Sequence, residues 1–380
     1  MQYKLFGKTN EKVSRLGFGC MRFHTNSDDN KDIKEELAIK QIRHAIDGGV
    51  NYIDTAYNYH GGESEKLVAK ALKNGYREKV KIATKLPSWL IKTRQDMDKY
   101  LNEQLEKLQT DHIDFYLLHT LKKKLWKNLV ENDVFEFLNS IVADGRVKHV
   151  GFSFHDDIDL FKEIVDSYDW DFCQIQYNFL DENYQAGKEG LIYAKERGLG
   201  VVIMEPLRGG SLAKSIPEDI AAIWNKADKK RTPAEWAFKF ILNHPEVDVV
   251  LSGMNEMDHI NENIRIATET TPDSLTNREK ELIDEVKSVY DSKIKVRCTN
   301  CAYCMPCPKG VDIPACFELY NESSMFDFDT AKKEYTKDLK NENKASMCIE
   351  CGQCEEKCPQ HLEIREKLKE VVETFESEDA

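Results

Sequence analysis

Eight short apolar runs rich in β-branched residues, separated by stretches with helical spacing, constrain this 380-residue chain more than any other feature. The runs are Arg15 to Gly19, Asn51 to Asp54, Val80 to Lys85, Ile113 to His119, Val147 to Phe152, Phe172 to Gln176, Val201 to Met204 and Val247 to Leu251. Between them, segments such as Glu36 to Asp47, Asp96 to Leu108 and Ala234 to Leu242 repeat apolar residues at i, i+3 and i+4, the spacing of a helix with one buried face. Strand and helix in alternation mean parallel strands joined by helical crossovers. Eight such units over roughly 250 residues match a closed (β/α)8 TIM barrel. No Gly-x-Gly-x-x-Gly follows the first run, so the fingerprint of the open doubly wound sheet is missing.

In a barrel of this kind the side chains at the C-terminal ends of the strands converge on one mouth. Asp54, Lys85 and His119 end the second, third and fourth runs, and Tyr59 lies on the loop just past Asp54. Reducing a carbonyl needs hydride at carbon and a proton at oxygen, hence a general acid. A tyrosine with an ordinary pKa of about 10 donates poorly unless its phenolate is stabilised. A lysine ammonium beside it does this, an aspartate fixes the lysine, and a histidine orients the carbonyl oxygen or shares the proton.

The segments carrying these residues are Ile53-Asp54-Thr55-Ala56-Tyr57-Asn58-Tyr59, Ile82-Ala83-Thr84-Lys85 and His112 to His119. In them the chain resembles the aldo-keto reductase superfamily over residues 1–292. The resemblance implies a barrel closed at the bottom by an N-terminal hairpin within Met1 to Val13. It also implies a nicotinamide cofactor across the mouth, Tyr59 as general acid and base, and a small carbonyl compound or alcohol as substrate.

The same resemblance implies a cofactor site. Ser153, in Gly151-Phe152-Ser153-Phe154, and Gln174 match residues that hold the nicotinamide amide, although Phe154 stands where relatives have asparagine. Met204 takes the place of a tyrosine that stacks on the nicotinamide ring. Pro206, Leu207, Arg208 and Gly210 belong to the loop that meets the pyrophosphate, and Asn263 matches a residue reaching the adenine. Where NADP-dependent relatives grip the 2′-phosphate with a lysine and an arginine, this chain has Gly253 and His259. The preference between NADH and NADPH therefore stays open.

Nine of the eleven cysteines fall between residues 298 and 358, which marks a second domain over residues 293–380. Cys298, Cys301, Cys304 and Cys307 precede Pro308, and Cys348, Cys351, Cys354 and Cys358 precede Pro359. Three thiolates at two-residue gaps wrap one cubane, and the cysteine before proline typically ligates the other cluster. One 4Fe-4S cluster then takes Cys298, Cys301, Cys304 and Cys358, and the other takes Cys348, Cys351, Cys354 and Cys307. Two zinc sites are the competing reading, since paired Cys-x-x-Cys suits tetrahedral zinc, but four cysteines followed by proline in both runs favour iron–sulfur. The gap before Cys307 is one residue short, which leaves Cys316 as a substitute ligand. Cys20, Cys173 and Cys316 otherwise read as small buried hydrophobes. Helical spacing in Ile313 to Asn321 and Asp329 to Leu339 resembles the mainly α-helical dicluster ferredoxins, and the acidic tail Glu373 to Ala380 is expected to be disordered.

Composition narrows the partners. A formal net charge of −13 argues against a nucleic-acid backbone or an anionic membrane surface. No apolar run approaches the ~20 residues of a membrane span, and the N-terminus lacks a signal-peptide core, so the expectation is a cytoplasmic protein. Two functions stay in view. One is a carbonyl oxidoreductase using a nicotinamide. The other is an electron-transfer or redox-sensing protein whose barrel binds a nucleotide or a flavin. Clusters move single electrons and nicotinamide moves a hydride, so coupling them calls for a flavin or an electron-carrier protein. Trp89 and Trp126 are candidates for the pocket wall or for core packing.

Overall fold

The computed structural model describes residues 1–214, 216–298, 300 and 302–377. Eight parallel strands close into a barrel: β3 (Leu16–Gly19), β4 (Tyr52–Asp54), β5 (Lys81–Leu86), β6 (Ile113–Leu121), β7 (Val147–Phe154), β8 (Phe172–Gln176), β9 (Gly200–Met204) and β10 (Val249–Ser252). They pair in chain order, and β10 closes the ring on β3 through Val250 opposite Leu16 and Leu251 opposite Gly17. Each predicted run becomes a strand. The helices Glu35–Asp47, Arg94–Leu108 and Pro233–Leu242 fall where the apolar spacing put them.

Two short strands precede the barrel, β1 (Tyr3–Leu5) and β2 (Lys12–Ser14), paired antiparallel. The turn between them carries Phe6, which is fully buried and lies edge-on to Phe115 with ring centroids 5.0 Å apart. Its other neighbours are Phe172 and Gly200, the first residues of β8 and β9. Phe6 therefore plugs the end of the barrel where strands begin. A Cβ on Gly200 would stand 2.5 Å from the Phe6 ring, so the plug depends on the missing side chain.

The barrel interior is made by the period-two alternation of strands. Tyr52, Ala83, Phe115, Leu117, Phe172, Val202, Val249 and Leu251 form one buried cluster. The next inward positions along the same strands are Asp54, Lys85, His119, Gln174 and Met204. Packing chemistry thus gives way to polar chemistry within one residue pair of each strand.

By contact the chain divides into two compact units, residues 1–209 with 234–275, and residues 210–233 with 276–380. The helix Asn277–Ser292, inside the 1–292 span assigned to the barrel from sequence, groups with the second unit. Among its described residues that unit has helices and turns and no strand, including Ile313–Met325, Phe328–Lys333 and Ile364–Phe375. Its own core joins Val311, Ile313, Phe317, Tyr335, Leu368, Val371 and Phe375. The expected disorder from Glu373 onward is corrected here. Glu373 to Phe375 continue the last helix because Phe375 is buried and its ring lies 4.7 Å from that of Tyr335. No described helix is long and apolar enough to cross a membrane.

Candidate active site and cysteine-lined cavities

Asp54 ends β4, and Lys85 stands opposite Leu117 on the neighbouring ladder. Neither Lys85 nor His119 is the last residue of its strand, as their runs suggested: β5 continues to Leu86 and β6 to Leu121. The extension of β6 passes through Thr120 at φ 56° and a shift of register against β7. Tyr59 opens a 3-10 turn over Tyr59–Gly62.

These four side chains converge. Lys85 Nζ donates to both Asp54 oxygens at 2.7 and 2.9 Å, to the Thr55 carbonyl at 2.7 Å and to Tyr59 Oη at 3.4 Å. The Tyr59 and His119 rings meet edge to face with centroids 6.1 Å apart. Trp89, 41% exposed, leans on His119 at 5.3 Å and forms an aromatic wall at the mouth. Trp126 does not share that role. It is buried against Phe135 and Trp170.

The electrostatics of the four differ from the sequence expectation in one respect. Burial pushes the Tyr59 phenol above its ordinary pKa, and Lys85 pulls it back without overcoming burial. Burial draws the Lys85 ammonium down, but Asp54 and Tyr59 outweigh it and hold the group above its usual value. Burial, then Lys85 and His155, push His119 well below the ordinary histidine value, so the imidazole is neutral. Tyr59 is therefore a protonated phenol facing a neutral imidazole, a suitable arrangement for giving a proton to a developing alkoxide.

A polar network that sequence reading missed supports Lys85 from beneath. Gln104, fully buried on Arg94–Leu108, donates to the Lys85 carbonyl at 3.0 Å, to Thr84 Oγ1 at 3.1 Å and to Glu65 Oε1 at 2.6 Å. It accepts from Tyr116 Oη at 2.8 Å, and Thr84 donates to Glu65 at 2.7 Å. Also missed was His60, which accepts from the Phe23 amide at 3.1 Å and bonds the Asn30 carbonyl through Nδ1 at 2.8 Å. It ties the turn after Tyr59 to the loop after β3. Polar residues at helix spacing on an otherwise apolar face were the available signal for Gln104. A lone histidine just before Gly61-Gly62 gave none for His60.

Of the expected cofactor residues, Ser153, Gln174 and Met204 stand on β7, β8 and β9. Ser153 lies beside Gln174 on the β7–β8 ladder, and its hydroxyl accepts from the Thr120 amide at 2.7 Å. Gln174 donates to Met204 Sδ at 3.5 Å, while its buried Oε1 has no partner among the described residues. That orphan acceptor suits an amide N–H of a nicotinamide. Met204 ends β9, with Pro206 and Leu207 on the loop that follows. Arg208, at φ 47°, pairs with Asp181 at 3.8 Å. Gly210 has φ 107° and falls in the second compact unit. Asn263, on the helix Met257–Glu269, is buried and donates to Ser252 Oγ at 3.0 Å, so its amino group is already engaged. Arg22 fills part of the gap in cations: its stem crosses Gly253, where a Cβ would stand 3.2 Å from Arg22 Cδ, and its guanidinium is 3.5 Å from Glu205.

In the second unit the cysteines ring two cavities. One, with about 430 Å³ of empty space counted out to solvent, is lined by Cys304, Cys307, Cys348, Cys351 and Cys354. The other, about 330 Å³ by the same measure, is lined by Cys298, Cys304 and Cys358. Among the described residues no three His, Cys, Asp or Glu side chains converge tightly enough for a single ion. Cys307 lines the cavity of Cys348, Cys351 and Cys354, and Cys358 lines that of Cys298 and Cys304. Cys301 lies outside the described residues. Cys316 lines neither cavity; it is fully buried, and burial pushes its thiol up to about 12. Cys20 and Cys173 are buried as well.

A family model described as the aldo/keto reductase family matches residues 15–284, most of the chain. The chain belongs to the aldo/keto reductase family. It is an oxidoreductase of that family extended by a 4Fe-4S dicluster domain, whose family model matches residues 297–363. Similar members include the L-galactose dehydrogenase of Arabidopsis thaliana, 24% identical over 77% of this chain and 95% of that protein. The NADH-specific methylglyoxal reductase of Escherichia coli is 28% identical over 59% of this chain and 72% of that one. Among solved structures, the aldo-keto reductase AKR11C1 from Bacillus halodurans in its holo form superposes with a TM-score of 0.63. It is 26% identical, covering 75% of this chain and 96% of that one. Aldo/keto reductase architecture accounts for the barrel and hairpin, and the match to the dicluster domain accounts for the cysteine-rich extension.

Proposed function

We propose that the barrel interconverts a small aldehyde or ketone and its alcohol, with Tyr59 as the proton donor and acceptor. The observation that carries this reading is the Lys85 ammonium, bonded at once to Asp54 and to the Tyr59 hydroxyl in a buried mouth. A nicotinamide dinucleotide, when bound, supplies or accepts the hydride at the substrate carbon. The chain's own groups manage the proton and the geometry. Tyr59 gives its proton to the carbonyl oxygen as negative charge builds there. Lys85 stabilises the phenolate left behind, and Asp54 holds Lys85 in place. Neutral His119 orients the oxygen, and Trp89 walls the substrate's outer face. The small carbonyl named for the Escherichia coli relative agrees with a compact substrate.

Gln174 and Ser153 would hold the nicotinamide amide, with Met204 packing beside the ring. Pro206, Leu207, Arg208 and Gly210 would meet the pyrophosphate. Asn263, through its remaining carbonyl oxygen, would be the contact to the adenine. Gly253 and His259 weaken the case for a 2′-phosphate and favour NADH, while Arg22 is the available cation near Gly253. The functional boundary falls after residue 292, and the site of action is the cytoplasm.

Two 4Fe-4S clusters would be held by Cys298, Cys301, Cys304 and Cys358 and by Cys307, Cys348, Cys351 and Cys354. When bound they supply one-electron transfer, to an electron-carrier protein or to a flavin in the barrel, or else they hold the fold together. Anaerobic titration with NADH, read at the cluster absorbance, separates these: bleaching means coupling, and steady turnover without bleaching means a separate role. For the barrel chemistry the deciding variant is Tyr59→Phe. It should lose carbonyl reduction by at least 10²-fold while cofactor binding persists. Unchanged reduction of good substrates would remove Tyr59 as the acid.

A further inference from the structure

The two cysteine-ringed cavities differ in the charge and exposure of their walls. The cavity of Cys307, Cys348, Cys351 and Cys354 is also lined by Lys309, Lys357 and Arg365, and by no carboxylate. Arg365 is tied to Glu355 at 2.8 Å, which offsets much of its charge. Lys309 and Lys357 are exposed and stand in no ion pair with a described residue, so their charges act on the cavity uncompensated. Here Cys348 Sγ also accepts from the Glu350 amide at 3.4 Å, and Cys351 is exposed.

The walls of the other cavity are Ala302, Ile313, Pro314, Phe317, Leu362 and Ile364 beside its cysteines, with Gln360 as the single polar side chain among its described lining residues. Cys358 there is buried. No charged side chain is among the described residues of that wall.

Reduction adds one negative charge to a cluster. Nearby cations, N–H groups donated to sulfur and access to water all stabilise that added charge, and an apolar wall does not. The cations sit at the first cavity, where an N–H also meets Cys348 Sγ and Cys351 is exposed. We propose that the clusters are unequal, and that the one held by Cys307, Cys348, Cys351 and Cys354 is the first reduced, with Lys309 and Lys357 setting its potential. This rests on the reading that both cysteine sets are filled.

The test is an anaerobic potentiometric titration of the full-length protein, mediated by redox dyes, reduced with dithionite and followed by electron paramagnetic resonance. Iron is counted on the same sample. The expected result is about eight iron atoms per chain and two separate one-electron waves. Lys309→Gln and Lys357→Gln should each shift only the higher wave downward, by about threefold to tenfold in the reduction equilibrium, tenfold being 59 mV for one electron. Gln360→Lys, at the apolar cavity, should raise only the lower wave. About four irons per chain would overturn the two-cluster reading and the ordering with it. Eight irons with coincident waves, or lysine variants that move the lower wave or both equally, would overturn the ordering alone.

Discussion

Lys85 is chelated by both carboxylate oxygens of Asp54, at 2.7 and 2.9 Å, with neither side chain appreciably exposed to solvent. A buried pair of this kind contributes little net stability, because desolvation opposes the attraction, but its loss leaves a stranded charge. Lys85→Met should therefore destabilise the fold by about 3–5 kcal/mol, as expected when one partner of a buried pair is removed. Asp54→Asn with Lys85→Met should cost less than either change alone. Urea unfolding of the three variants gives the comparison. Carbonyl reduction should fall in all three, since none retains an ammonium fixed beside Tyr59.

Gln104 serves four groups at once, so its loss reaches the site without touching it. Gln104→Leu leaves the Tyr116 hydroxyl without its partner, at about 1–3 kcal/mol for a stranded buried group. Thermal melting should show the loss. Gln104→Glu, which preserves the accepting oxygen for Tyr116 but brings a second carboxyl against Glu65, should not restore it.

Acid should weaken the barrel before it affects an average carboxylate. An unfolded histidine takes up its proton near pH 6.5. In the folded chain burial, followed by Lys122, lowers His155 to about 4, and His119 is held well below its usual value. Between about pH 6.5 and 4 the unfolded chain thus binds more protons, and stability falls as pH falls. Melting temperatures from pH 7 to 4.5 should drop, and His155→Asn should flatten the slope over that window.

Phe6 closes the barrel at the end away from the catalytic residues. Phe6→Ala should cost about 3–5 kcal/mol, the usual range for emptying a buried aromatic position. At room temperature kcat should stay within about twofold, since the Lys85 bonds lie at the opposite ends of the strands. Denaturation and steady-state assays of the same preparation separate these effects.

Iron content distinguishes the two cysteines that the shortened spacing left in competition. Cys307→Ser should lose about half of the bound iron, because Cys307 lines the cavity of Cys348, Cys351 and Cys354. Cys316→Ala should keep all of it, with a modest loss of stability from the core around Phe317 and Tyr335.

The eight strands and the convergence of Asp54, Tyr59, Lys85 and His119 were legible because they rest on local patterns, whereas the hairpin came with the family resemblance. Runs of β-branched residues declare strands, and residues such as Asp54 and Lys85 stand at the polar ends of those runs. The support around them was not. Gln104 sits 19 residues beyond Lys85 and His60 binds a loop 30 residues earlier, and no pattern along the chain connects them. The raised phenol of Tyr59 was equally hidden, since burial is a property of the assembled mouth rather than of a tyrosine near a lysine.

The chain by itself determined that there are two sets of four cysteines, and that proline follows each final one. Only the tertiary structure decided that Cys307 lines the cavity of the distant second run while Cys316, the substitute the shortened gap left open, is packed away as a hydrophobe. The physical reason is reach. Two-residue gaps keep three cysteines on one short segment wherever that segment lies. The fourth arrives only when the helix Ile313–Met325 and the helix Ile364–Phe375 pack and bring remote segments around one cavity.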